Sequence, residues 1–276
     1  MPDPSFVLPL LLQSALVPAA TAAILLLLLS ARRRTWSASL GIAAGLLASY
    51  IATYHAQWRF PPHQALDWLP LVLAVALGAI AAGRQDRAGA LPARLILALL
   101  VSGIVAWPAL GSAGMPKTLL LVVVAAALIT AVWTALAAPA SSERSPAAAL
   151  VLAAVAGGAG LALMIDASQL LGQLCGALGV SVLVCGLWRP LPQDMAGAFV
   201  GVATLLLGAL LAYAHIYAGF GLLMVLLLTG ALLAGALAIR LVSGPRAWLA
   251  AIAASGPPVL AALGLAIKAM QDSGGY

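Results

Sequence analysis

The chain has 276 residues, of which 13 are Lys or Arg and 7 are Asp or Glu; 64% are apolar and the mean hydropathy is +1.13. A soluble domain carries about 25% charged residues, so a charged fraction of 7% excludes a soluble enzyme, a secreted module and a disordered chain. On so apolar a chain the net charge of +6 reads as membrane topology rather than nucleic-acid binding, and the fold class is an all-α, polytopic transmembrane helical bundle.

A helix crosses the hydrocarbon core with about 20 residues. Punctuation by Pro, Gly and charge predicts ten spans: 5–30, 36–54, 67–83, 91–110, 118–138, 146–165, 168–188, 194–216, 218–238 and 246–268. At that length they take up about 200 residues. No connection is long enough to fold separately, so residues 1–276 read as a single integral membrane domain.

The first span opens on Met1-Pro-Asp-Pro-Ser, and its positive charges, Arg32, Arg33 and Arg34, come after it. A signal peptide has the reverse order, so a retained helix with its N-terminus outside is expected. The second span carries Gly41-xxx-Gly45 and ends in Tyr50, Tyr54 and His55. The longest outer loop follows, with His63 and then Asp67 at the start of the third span. His63 and Asp67 have i,i+4 spacing, which could bring ligands together if the segment were helical. Without an H-x-x-x-H pattern, three histidines are not read as a metal site. Tyr50, Tyr54, His55, His63, Asp67, Tyr213, His215 and Tyr217 instead form a predicted outer-face cluster of aromatic and hydrogen-bonding groups.

In the second half, Ser145-Pro146 and Ser243-Gly244-Pro245 resemble helix starts, and Asp194 can cap the eighth span. Asp166 followed by Gln169 predicts a capping box on the seventh. That span is the most polar, with Gln169, Gln173, Ser181 and two cysteines among its glycines. A helix–helix seam and a solute-lining face both fit it. Cys175 and Cys185 are ten residues apart on one helix, about 15 Å along its axis, too far to pair. Near the middle of the tenth span stand Ser255, Gly256, Pro257 and Pro258. Two consecutive prolines remove two donors and predict a kink or break, as in transporters whose broken helices build a substrate site. A static kink is the alternative.

The basic residues fix the predicted orientation. With the N-terminus outside, Arg32, Arg33, Arg34, Arg84, Arg87, Arg94, Arg144, Arg189, Arg240 and Arg246 fall inside, against Arg59, Lys117 and Lys268 outside. The positive-inside rule expects this bias, and the C-terminus is then also outside. All seven tryptophans are expected near the membrane–water interface. No ionisable residue lies near the middle of a span, which argues against a proton relay or ion path. The motifs of phosphate loops, serine hydrolases, zinc proteases and dithiol enzymes are missing, and no cofactor is implied.

The sequence leaves three functions open. One is a permease or exporter for a neutral or apolar small solute, with Ser255, Gly256, Pro257, Pro258, Gln169, Gln173 and Ser181 as candidate binding residues. The second is a non-catalytic membrane subunit or scaffold that docks a membrane-protein partner or a second copy. The third is an outer-face enzyme acting on a lipid-linked substrate through His55, His63, Asp67 or His215. Lipid is the expected surrounding in each case. The Ala-, Leu- and Gly-rich composition points to a GC-rich bacterial source and its inner membrane.

Overall fold

The computed structural model describes residues 9–30, 36–83, 87–140, 145–188, 193–242, 244 and 246–272, and contains no strand among them. Ten helices are long and apolar enough to cross a membrane. They are α1 (Pro9–Leu29), α2 (Ser37–Tyr54), α3 (Ala65–Ala82), α4 (Gly89–Ala109), α5 (Met115–Ala138), α6 (Pro146–Asp166), α7 (Gln169–Leu187), α8 (Met195–Tyr217), α9 (Leu222–Leu241) and α10 (Ala247–Asp272). Each corresponds to a predicted span, with its ends moved by a few residues.

Helix α8 is the central post, with 78% of its span buried. Around it stand α2, α3, α4, α5, α9, α6 and α7, while α1 lies against α2 and α7, and α10 lies against α6 and α9. Only 22% of α1 and of α10 is buried, and Ile24, Leu28 and Leu260 are among their exposed apolar side chains. Outward apolar faces of this kind fit a multi-pass membrane protein. The contacts also agree with the alternation of the spans. Arg94 and Arg240, both assigned to inner ends, donate to the Thr134 hydroxyl and the Thr134 carbonyl respectively, near the end of α5 assigned to the same side. Tyr217 and Val105, both assigned to outer ends, are joined by a hydrogen bond of 2.9 Å.

Between helices in a bilayer there is little hydrophobic driving force, so close packing of small residues must supply the adhesion. The α6–α7 seam shows this. A Cβ on Gly160 would stand 2.9 Å from the Gly172 carbonyl oxygen and 3.1 Å from the Gly176 nitrogen. On the other side of α7, a Cβ on Gly41 would lie 2.6 Å from Cys185 Sγ, and one on Gly45 would collide with Ser181 Oγ. Both cysteines are free and buried, Cys185 in the seam with Gly41.

Trp133 is built into the packing of the bundle. It is wholly buried between α5 and α8, and its Nε1–H donates to the Gly197 carbonyl at 2.9 Å. Gly201 presents bare backbone to the ring, where a side chain would overlap it. The Arg94 guanidinium sits 5.5 Å from the ring centroid.

Several helices are locally irregular. In α1, Leu12–Leu16 is a π-helical turn. The Ser49 hydroxyl of α2 donates to the Gln13 carbonyl at 2.8 Å, and the Gln13 amide donates to the Ala52 carbonyl at 3.4 Å. A widened turn in hydrocarbon needs such partners. Helix α3 opens as a 3-10 turn (Ala65–Trp68) and is interrupted after Ala76.

Two expected caps are placed differently. Ser168, not Asp166, caps α7, its hydroxyl accepting from the Leu171 N–H at 3.4 Å. A carboxylate reaching back to a helix start occurs instead at α3, where Asp67 accepts from the Gln64 N–H at 2.8 Å. The side chains of Ser145, Asp194, Ser243 and Pro245 lie outside the described residues.

The largest difference concerns α10, which is helical without interruption from Ala247 to Asp272, with Pro257 and Pro258 inside it. No break occurs. A proline's fixed φ is itself helical, so the helix runs through both rings although they remove two backbone donors. The Ser255 hydroxyl bonds within its own helix, donating to the Ala251 carbonyl at 2.9 Å with the Ile252 carbonyl at 3.3 Å.

Candidate functional site

Helices α8 and α9 are joined by a short turn, yet they make little contact with each other along their length. The turn explains part of this. Gly219 adopts a φ of +74°, and the Phe220 N–H bonds back to the Ala214 carbonyl at 3.0 Å, closing the end of α8. His215 reinforces the turn, with Nδ1 2.8 Å from the Phe220 carbonyl oxygen.

In the space between α8 and α9, backed by α5, lies an apolar cleft. It extends from Leu121 to Val132 on α5, from Thr204 to Ile216 on α8 and from Leu222 to Leu232 on α9. At 1.5 Å per helical residue it is roughly 16 Å long, about half a hydrocarbon core. A water-sized sphere can be centred in about 90 Å³ of it, and the empty space reaches about 710 Å³ when the part open to the surroundings is counted. Val124 and Leu222, two of its lining residues, are exposed on the outside of the bundle. Nearly all the lining is apolar; the side-chain polar atoms come from Thr204, Thr229 and His215.

The predicted binding residues lie elsewhere. Ser255 is buried against neighbours, while Pro257 is exposed on the outside of the bundle. Gln169 is exposed at the start of α7, and Gln173 is buried in it. Ser181 is buried against Gly45, its hydroxyl donating to the Ala177 carbonyl at 2.8 Å. Together with Gly256, none of these residues lines the α5–α8–α9 cleft.

The predicted outer cluster assembles in part, as two tyrosine-containing groups that adjoin where Tyr213 stands within electrostatic range of Tyr50. Asp67 is 4% exposed and organises the first of them. Its Oδ2 accepts the backbone N–H of His63 at 2.9 Å and of Gln64 at 2.8 Å, and its Oδ1 accepts the Tyr54 hydroxyl at 3.0 Å. Beside it, the Tyr50 hydroxyl donates to the Leu66 carbonyl at 3.1 Å, and the Tyr50 and Tyr54 rings are 5.2 Å apart. A buried carboxylate needs such partners to offset lost hydration. Asp67 therefore ties the α2–α3 loop to α2.

The second group is Tyr213 and Tyr217, whose ring centroids are 6.0 Å apart. His55 is exposed and bonds to the Ile51 carbonyl of its own helix at 2.8 Å, and the His63 side chain is also exposed. The segment from His63 to Asp67 is not an α-helical turn, because Gln64 is extended and the 3-10 turn starts at Ala65. His63 and Asp67 therefore do not present side chains from one helix face. Among the described residues no three His, Cys, Asp or Glu gather as metal ligands. Only His215 belongs to both the predicted cluster and the cleft.

Sequence reasoning missed the cleft for a physical reason. Its leucines, valines and isoleucines are the residue types that also face lipid, so only packing distinguishes them. Thr204 and Thr229 were the available signal: hydroxyls inside otherwise apolar spans, on helices that must be neighbours if joined by a short turn. No known family model, curated protein or solved structure matches the chain.

Proposed function

We propose that the chain is a multi-pass membrane carrier for a neutral or apolar small solute, and that the solute occupies the α5–α8–α9 cleft. The cleft is the observation that supports this most. It is apolar, elongated, open toward lipid through Val124 and Leu222, and lined by the central helix α8. A mostly apolar lining with a few convergent polar groups is the usual chemistry of a small-molecule site. The described spans place no carboxylate in it, in keeping with a neutral cargo. In this reading both termini are outside, the arginine-rich loops face the cytoplasm, and the membrane is a bacterial inner membrane.

The test is transport of a neutral amphiphile that crosses bare bilayers slowly, such as a fluorescent dodecyl glucoside. In proteoliposomes, bleaching by an impermeant reductant is expected to reach the inner-leaflet probe faster than in protein-free vesicles. Equal rates would remove the carrier reading.

A second groove favours the partner-docking reading. Between α1 and α7, Ala19, Ala20 and Ala23 form a small-residue floor flanked by Leu16, Leu187 and Trp188. Small residues at helical spacing admit a close-packed helix from a partner or a second copy. A stable complex in mild detergent, lost in Ala19→Leu or Ala23→Leu, would support it.

A further inference from the structure

We infer that the cleft selects a neutral amphiphile whose head donates hydrogen bonds, a hydroxyl above all, because the polar side-chain atoms it offers are all acceptors. This rests on reading the cleft as the solute site.

The Thr204 hydroxyl donates to the Val200 carbonyl at 2.7 Å, with the Gly201 carbonyl at 3.1 Å, and the Thr229 hydroxyl donates to the Val225 carbonyl at 2.8 Å. A hydroxyl has one proton and two lone pairs, so each threonine retains only acceptor capacity for a ligand. His215 follows the same logic. Its Nδ1 is 2.8 Å from the Phe220 carbonyl oxygen, which can only accept. Nδ1 therefore carries the proton, and in the neutral imidazole Nε2 is an acceptor.

The consequence is selective. An ester, ketone or ether head would leave water and find no donor side chain to replace it. An ammonium would bring a charge into an apolar cleft whose lining contains no carboxylate. A neutral hydroxyl head loses water and regains an acceptor, at His215 near the outer end or at Thr229 and Thr204 deeper along the wall. The apolar tail lies along the leucine- and valine-lined length.

The experiment uses the full chain in nanodiscs with a dodecanol that bears a diazirine at the far end of its chain. Cross-links are mapped onto α5, α8 and α9. Competition by 1-dodecanol is compared with competition by dodecyl methyl ether, at matched mole fraction in the bilayer. The alcohol is expected to displace the label at about three- to tenfold lower mole fraction, the worth of one net hydrogen bond. His215→Leu is expected to bring that ratio toward one while leaving ether competition unchanged. His215→Gln, which keeps an acceptor oxygen, is expected to retain part of it. If the leucine variant does not fold, Thr229→Val gives the same readout without freeing a backbone group. Equal competition by alcohol and ether in the unmodified protein, or a ratio unmoved by these variants, would overturn the donor rule and leave the cleft as a site. No cross-linking to α5, α8 or α9 would overturn both.

Discussion

The carboxylate of Asp67 accepts the hydroxyl of Tyr54 across 3.0 Å while the same side chain holds the backbone N–H groups of His63 and Gln64. This joins the end of α2 to the start of α3 and fixes the loop between them. Removing the carboxylate in Asp67→Ala leaves the His63 and Gln64 backbone donors short of a partner, while the Tyr54 hydroxyl keeps the Gln64 Oε1 at 3.0 Å. Each hydrogen bond to a charged group contributes about 1.5–3 kcal/mol, so a loss of about 3 kcal/mol is expected, with Asp67→Asn losing less. Thermal unfolding in detergent measures both. An unchanged midpoint for the alanine variant would show that the loop is held by something else.

The α6–α7 seam should respond to volume in the opposite way from an open glycine. Gly172→Leu places a side chain where Gly160 and Met164 already lie. Overpacking of this kind costs about 1–3 kcal/mol. Gly103, with nothing within 4 Å of a Cβ, should accept alanine without loss. Comparing the two variants' unfolding midpoints separates a packed seam from general intolerance of substitution.

Because α10 is continuous, Pro257→Ala with Pro258→Ala is expected to restore two backbone donors and leave transport unchanged. Stability should hold or rise, since prolines within a helix are intrinsically unfavourable. A selective loss of transport with normal folding would return the prolines to the mechanism as a hinge.

Orientation can be read with thiols. Cys175 and Cys185 are buried, whereas His63 is exposed on the α2–α3 loop. A cysteine at position 63 should therefore react with an impermeant maleimide added to intact cells, and the unmodified chain should not. Labelling of His63→Cys only after the membrane is opened would invert the proposed topology.

The ten helices were legible because each one announces itself by length and hydropathy, and because loop arginines mark alternate ends. The small-residue pair Gly41-xxx-Gly45 was legible, and both glycines sit in a tight seam against α7. The candidate site was not legible. Pro257 and Pro258 carry a strong local signal, yet the helix continues through them. His55 and His63 share a residue type with His215, but only His215 is turned by the Gly219 corner onto the cleft. Whether a leucine on α5 or α9 faces lipid or a cavity depends on which helices diverge, and that is decided by tertiary packing.

The central claim is that the α5–α8–α9 cleft carries the solute. Ala212 lines it on α8 and is partly exposed to it, so Ala212→Trp fills the space with little change elsewhere. The direct measurement is the transbilayer rate of the fluorescent dodecyl glucoside in proteoliposomes containing either the unmodified chain or Ala212→Trp, each with its folding confirmed by its unfolding midpoint. The account predicts protein-dependent movement for the first and a rate at least about tenfold lower for the second, as expected for a barrier increase of 1.4 kcal/mol or more. Equal rates for the two folded proteins would contradict it.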